Sequence, residues 1–487
     1  MCGIFAIINS PNAARELYFG MVHLQHRGQD ACGMLTVSQK DAVPKFNVMK
    51  FIGHVHNNFS EEKLDRLDGS MGIGHTRYPT CGINDASETQ PLTLPSPEAV
   101  GLAFNGNVVN YPSLKRELQE RHGRIMSTES DGEVLLNLFA VHYNEKDNVQ
   151  GVKAAVRKVM EKAVGGYSVV MQVGGKGILA FKDPNGIKPM VMGRRVSEEG
   201  TSYAFASESV SLSAIGFTDI ADVKGGEMVF IGTDLRVYRE FILPAKAAPC
   251  SFEWVYFSTA ESIIEGKSVY DVRERLGIHL AKKVKALIPD ERIDVVIPVP
   301  DTSRTAALAL ANTLGVPYQE GLIKNRYIGR TFIMPSQSER QDAIRLKLRP
   351  IDHVIRNKNV LVVDDSIVRG TTSKKIIQLL RSSGAARIYF ISTFPPIRHP
   401  CFYGIDFQTE KELVAHGRTR MEVEKELGAD RLIYIEPEDL KAAIGLDSVC
   451  MACVDGNYPT PTQDMAEMKN TREIQQKIIA GRKGEPK

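Results

Sequence analysis

A chain of 487 residues is longer than one hydrophobic core usually serves, so two domains are expected. Its 61 Lys and Arg nearly cancel its 58 Asp and Glu, and a formal charge of +3 gives no footing for a nucleic-acid partner. The composition, 43% hydrophobic with no apolar run near roughly eighteen residues, excludes a membrane-spanning helix and reads as soluble and globular. The N-terminus, MCGIFAIINSPNAAREL, lacks the basic lead and small-residue cleavage site of a secretory signal. The 7 cysteines are odd in number and scattered, unlike a secreted disulfide scaffold, so a reducing cytoplasm is expected.

Up to about residue 240, short apolar runs at 71–74, 100–104, 167–173 and 177–181 are separated by glycine and turn residues. They predict packed antiparallel sheets, with helices over 12–24 and 132–143. Prolines 244 and 249 mark a boundary. The rhythm then changes. An apolar run at 294–299 leads through a polar loop to an alanine-rich helix ending at Gly315. Another at 359–363 precedes a helix over 373–383, stopped by Gly384, and a strand over 387–394 follows. Strand, loop, helix, strand predicts a parallel α/β sheet over 241–445, with 446–487 as a short tail ending in a helix.

Cys2 follows the initiator Met, and so small a side chain is expected to allow Met removal. The thiol would then lie beside a free α-amine, whose usual pKa of roughly 7.7–8.0 suits a general base. A cysteine at position two is by itself more often chance than nucleophile. Further segments change that: Gln25-His26-Arg27-Gly28-Gln29-Asp30, Gly74-His75-Thr76-Arg77-Tyr78, Asn105-Gly106-Asn107 and Ser130-Asp131. An arginine grips a carboxylate through a bidentate fork, and Asn-Gly offers an amide and a backbone N–H to an oxyanion. Singly each has a mundane reading, since Asn-Gly is a common turn and Asp131 can cap a helix.

In that order with Cys2, the segments resemble the class II glutamine amidotransferases, which use an N-terminal nucleophile. The resemblance implies an α+β N-terminal-nucleophile hydrolase domain over 1–240, with Cys2 attacking the glutamine amide. It also implies Asn105 and Gly106 as oxyanion hole, and Arg77, Asp131, Arg27 and Gly28 around the glutamine. Lys182-Asp183-Pro184-Asn185-Gly186 and Ala206-Ser207-Glu208-Ser209 resemble further core segments of that family. Phe104 departs from it, standing where many members carry histidine.

The string Val360-Leu361-Val362-Val363-Asp364-Asp365-Ser366-Ile367-Val368-Arg369-Gly370-Thr371-Thr372-Ser373 ends an apolar strand in two carboxylates. Such a pair meets ribose hydroxyls and Mg²⁺, and the following loop opens a helix whose N-terminus favours phosphate. It is similar to the phosphoribosyl pyrophosphate (PRPP) signature of type I phosphoribosyltransferases. Val299-Pro300-Asp301-Thr302-Ser303-Arg304 resembles their pyrophosphate loop, although an ordinary βα turn reads the same. The resemblance implies that Lys324, Arg326 and Arg330 lie on a loop closing over the substrate, and that Asp364, Asp365 and Ser303 attend Mg²⁺. Gly266-Lys267-Ser268 resembles the end of a Walker A loop, but Glu261 stands where its first glycine belongs, so an ATP-hydrolysing loop is excluded.

Cys250, Cys401, Cys450 and Cys453 remain. Spacing alone leaves zinc, an iron–sulfur cluster or buried thiols open. Their contexts resemble the [4Fe–4S]-bearing branch of the glutamine phosphoribosylpyrophosphate amidotransferases, a family in which both domain types occur together. Membership implies ammonia transfer from glutamine to Mg-PRPP, purine nucleotides as feedback inhibitors and a homotetramer. Cys32 and Cys81 have no assigned role, and core packing is expected of them. Glucosamine-6-phosphate and asparagine synthases would share the first domain only. A catalytically silent PRPP or purine-nucleotide sensor, or a scaffold for other purine enzymes, are the non-enzymatic alternatives.

Overall fold

The computed structural model describes residues 1–38, 44–78, 86–95, 99–144, 148–325, 348–407 and 409–482. Arg326, Arg330 and Cys81 lie outside them.

The N-terminal part is a sandwich of two antiparallel sheets. One has 7 strands in the order Thr218–Asp222, Val191–Ser197, Gly200–Ala206, Gly3–Ile8, Met71–Arg77, Ala31–Ser38, Lys45–Ile52. The other has 6, in the order Val237–Phe241, Glu227–Gly232, Gly177–Lys182, Gly165–Val173, Val100–Val108, Leu92–Leu94. Side chains alternate across a strand, and here both faces are covered. Ile4, Ala6 and Ile8 join Ala103, Val170 and Ala180 in the core between the sheets. Phe5 and Ile7 point the other way, onto helix Ala13–His23. Leu102, Val169 and Phe181 of the second sheet pack outward on helices Asp131–His142 and Asn148–Lys162. Coverage on both sides explains why these strands read as continuous apolar runs, not alternating ones.

The second part has a parallel sheet, Val295–Pro298, Asn359–Asp364, Arg387–Ser392 and Arg431–Tyr434, in sequence order. Alternation splits its side chains between two cores. Val360, Val362, Ile388 and Phe390 pack with Ile376 and Leu380 of helix Thr371–Ser382. Leu361, Val363, Tyr389 and Ile391 face helices Val269–Leu287 and Arg304–Leu314. This second core also takes in Met1, Ile187, Trp254, Cys453 and Met468, so it runs unbroken between the two parts and into the tail. The predicted architectures, an α+β sandwich followed by a parallel α/β sheet, are both observed. Ser268, from the rejected Walker-like string, caps helix Val269–Leu287 by accepting the Asp271 N–H at 3.2 Å.

Candidate active site

Cys2 stands just ahead of the central strand Gly3–Ile8. Its backbone N–H donates to Asn105 Oδ1 at 3.0 Å, and its Sγ lies 3.4 Å from the backbone N of Tyr78. Orienting the Asn105 carbonyl toward Cys2 turns the amide nitrogen away, and that buried Nδ2 has no partner among the described residues. An unpaired buried donor costs free energy unless something fills the place it faces, which marks it as a binding group. Gly106 adopts φ +141, and a Cβ there would stand 2.0 Å from the Gly166 carbonyl oxygen, so no other residue fits. Phe104 faces away, into the core against Gly132, with its N–H donating to Gln90 Oε1 at 2.7 Å.

Ser130 caps helix Asp131–His142, accepting the Gly132 N–H at 3.2 Å, which leaves the Asp131 carboxylate for other work. Asp131 accepts the Val108 N–H at 2.9 Å, and burial raises its pKa to about 6. Arg77 is buried, its Nη2 2.7 Å from Glu88. Gly28 lets its loop lie on strand Met71–Arg77, since a Cβ would meet the Thr76 carbonyl oxygen at 2.4 Å.

Arg27 lies at the centre of an ion cluster. Its guanidinium is fully buried, 2.6 Å from Glu208 and 2.8 Å from Glu253, while its Nε donates to the Cys2 carbonyl at 3.1 Å. Two buried carboxylates require a countercharge, and they take this one. Burial alone would raise Glu208, but His26 and Arg27 outweigh it and hold the carboxyl far below its usual range. Glu253 belongs to the single π-helical turn among the described residues, Glu253–Phe257, and such turns collect at functional sites. The Arg27 cluster thus joins the thiol's own residue to the second part of the chain.

Asp364 ends its strand and Asp365 follows. Burial, with mutual repulsion, pushes Asp364 well up, and burial raises Asp365 to about 6. Ser366 Oγ donates to Asp365 Oδ1 at 2.9 Å. Gly370, at φ +72, turns the chain into helix Thr371–Ser382, so the backbone N–H groups of Thr371 and Thr372 open its first turn beside a buried Ser373. Asp301, Thr302 and Ser303 follow the neighbouring strand Val295–Pro298, at the same end of the sheet. The buried Ser303 hydroxyl has no partner among the described residues. Lys324 lies 3.1 Å from Asp301. Arg369 pairs with Glu412 and reaches Asp406, neither of which sequence reasoning picked out.

Cys250 and Cys450 are bridge partners in the backbone, and Cys401 and Cys453 are buried beside them. Burial raises Cys250 to about 12 and Cys453 well above the usual thiol range, with the other three cysteines of the set adding to the rise at Cys453. Among the described residues, no three His, Cys, Asp or Glu side chains are grouped as a metal site. Cys32 is buried in the sandwich, and burial raises it to about 12. No described helix is long and apolar enough to cross a membrane.

A glutamine amidotransferase domain family matches residues 31–232, and a phosphoribosyl transferase domain family matches 266–400. The amidophosphoribosyltransferase of Pseudomonas aeruginosa is 47% identical across 94% of this chain and 93% of its own length. The solved structure of the Bacillus subtilis glutamine PRPP amidotransferase, complexed with ADP and GMP, superposes with a TM-score of 0.84 at 37% identity. It covers 94% of this chain and 98% of that one. A structure described as the allosteric regulatory enzyme of purine biosynthesis superposes with a TM-score of 0.86 at 36% identity, covering 96% and 99%.

Proposed function

The chain belongs to the amidophosphoribosyltransferases, and on that premise we propose that the two residue sets above carry the two halves of its reaction. The enzyme takes ammonia from glutamine and adds it to C1 of PRPP, giving 5-phosphoribosylamine, pyrophosphate and glutamate, the first committed step of purine synthesis.

In the first half the Cys2 sulfur attacks the amide carbon while the α-amine, free once Met1 is lost, takes the thiol proton. The carbonyl oxygen becomes negative and is met by Asn105 Nδ2 and the Gly106 N–H. Ammonia leaves, and water then hydrolyses the thioester to glutamate and restores the thiol. Arg77 holds the α-carboxylate, Asp131 holds the α-ammonium, and Gly28 forms part of the wall. Arg27 holds Cys2 through its carbonyl and belongs with Gly28 to the residues around the glutamine. The observation that carries this reading is the Asn105 amide, tied to Cys2 on one side and left with an unpartnered donor on the other.

In the second half ammonia passes between the domains and displaces pyrophosphate at C1. Asp364 and Asp365 hold the ribose hydroxyls, and Ser366 with residues 369–373 holds the 5-phosphate. Asp301, Thr302, Ser303, Lys324, Arg326 and Arg330 attend the pyrophosphate. Two upward-shifted carboxylates and an unpartnered hydroxyl fit Mg²⁺, which Asp364, Asp365 and Ser303 would hold and which would neutralise the departing pyrophosphate. The cysteine contexts support a [4Fe–4S] cluster that Cys250, Cys401, Cys450 and Cys453 would hold as a clasp on the C-terminal segment, with the four buried thiols not drawn together as a metal site in this structure. Domain limits at 240 and 445, a cytoplasmic homotetramer and feedback inhibition by purine nucleotides complete the proposal. The silent-sensor and scaffold alternatives have no observation in their favour.

The test is release of glutamate and pyrophosphate by anaerobically purified protein given glutamine and Mg²⁺, with and without PRPP. Matched release of both, with glutaminase activity rising on PRPP addition, is expected. PRPP binding with neither product formed would refute the reading.

A further inference from the structure

Segment 182–189 contains Lys188, which neither half of the reaction above uses. The residue is fully buried, and its backbone is pinned on both sides. Its carbonyl accepts the Ser168 hydroxyl at 2.8 Å, and the Ile187 carbonyl just before it accepts the Cys250 N–H at 3.1 Å. Among the described residues its ammonium meets one hydrogen-bond acceptor, the Met1 Sδ at 2.8 Å. A thioether carries no countercharge, and a buried cation without one is costly.

Met1 is itself buried, packed with Val109, Ile187 and Cys250, and it is the residue whose loss frees the α-amine. Its removal leaves room between Lys188 and the nitrogen of Cys2, which is tied to Asn105 Oδ1 by the 3.0 Å hydrogen bond. Lys188 Nζ thus stands within the reach of one methionine side chain from the α-amine. The charged and titratable groups facing this place are Lys188, Arg27, Glu253, His75, Asp406 and the Cys2 thiol. Arg27 is matched by Glu208 and Glu253, so Lys188 is the cation without a carboxylate. Cys250 and Cys450 also face Lys188. Burial, joined by Lys188 and Arg27, lowers the amine of Met1 to about 5 against the opposing Cys2 thiol and Glu253.

We propose that Lys188 is a positioning residue of the glutaminase, whose ammonium keeps the mature α-amine in its base form across the room that Met1 vacates. Two cations side by side disfavour each other, and an α-amine yields its proton more readily than a lysine does. The amine is therefore the group left neutral and able to take the Cys2 Sγ proton. The same repulsion then passes that proton on to the amide nitrogen, whose bond to the acyl carbon breaks as ammonia leaves. The inference rests on the reading above of Cys2 as nucleophile and its α-amine as base.

The experiment compares wild type, K188R and K188M, each with loss of Met1 confirmed by intact mass. Glutaminase kcat/KM is followed against pH, and the α-amine is titrated directly by NMR on protein labelled at the cysteine nitrogen. An α-amine ordinarily titrates at roughly 7.7–8.0. In wild type the amine and the acid limb of the profile should both fall well below that range. K188M should move both up by about one unit, the scale of removing one neighbouring charge. K188R should keep the wild-type values, since it restores the charge. A wild-type α-amine in the ordinary range overturns the proposal with no variant needed, which covers a K188M that fails to fold. A K188M that loses rate with an unmoved profile also overturns it, making Lys188 a packing support. So does a K188R that matches K188M. A wild type without glutaminase activity refutes the nucleophile reading beneath, whereas an active wild type with an ordinary α-amine refutes only Lys188.

Discussion

Asn105 and Arg77 come from separate strands of a two-sheet sandwich and Cys2 from just ahead of a third, and Asn105, Arg77 and its partner Glu88 are buried. Asp301 and Arg369 sit on loops at one end of a parallel sheet, Lys324 ends the short strand Leu322–Lys324, and all three are about half exposed. The glutamine half is therefore set by core packing before substrate arrives, whereas the phosphoribosyl half offers charged loops that substrate can rearrange. A buried constellation aligns a nucleophile with little reorganisation, and an open one admits a highly charged ligand and closes on it. The difference predicts that damage in the first half is selective for glutamine, and damage in the second is not.

The largest effect should come from Cys2→Ala. Glutamine-dependent synthesis should fall by roughly 10⁴-fold or more, the scale of losing a nucleophile, while synthesis from ammonium salts survives within about twofold. Equal loss of both would break the comparison.

Arg27→Met leaves Glu208 and Glu253 buried without their countercharge. Equilibrium denaturation should show a loss of about 3–5 kcal/mol, the range for breaking a buried pair from one side. The pH dependence has a definite sign. Glu208 is held below its ordinary 4.5, so its contribution is fully present above that pH and is lost as acid carries the protein down through the folded value. In Arg27→Met that acid-sensitive contribution should shrink.

Asn105→Ala removes the oxyanion donor, with glutaminase kcat expected to drop roughly 10²–10³-fold and thermal stability changed far less. Steady-state kinetics against a melting curve separates the two. The smallest of the set is Asp364→Asn, expected to weaken Mg-PRPP by about 10–100-fold. That loss should be the same with glutamine as with ammonia, measured as a shift in KM for PRPP. A loss confined to glutamine would show the halves to be less separate than their construction suggests.

Legibility in the sequence followed the same division. The phosphoribosyl elements are contiguous strings, because a strand end, its loop and the next helix start are neighbours in the chain, so Asp364 to Ser373 could be read directly. Asn105 and Gly106 were readable as candidates because the pair is adjacent in the chain. The pairing of Arg27 was not, since its partners Glu208 and Glu253 lie 181 and 226 positions away and no spacing rule links them. Asp406 meets Tyr78 across 328 positions and was equally hidden. Helix Val269–Leu287 went unpredicted, as its charged face interrupts the apolar one, and packing against helix Arg304–Leu314 settles it.

The core that joins Val109 and Ile187 to Trp254, Tyr389 and Met468 bears on how such a chain can be cut or recombined. A fragment ending at residue 245 would carry Val109 and Ile187 to the solvent, and its complement would uncover Trp254, a residue wholly shielded in the intact chain. Large contiguous apolar patches of that kind make soluble proteins stick to one another. Grafting this glutaminase onto a different acceptor module would therefore require redesigning the seam as well as the linker, and inheritance of the pair as one unit is the arrangement the seam favours.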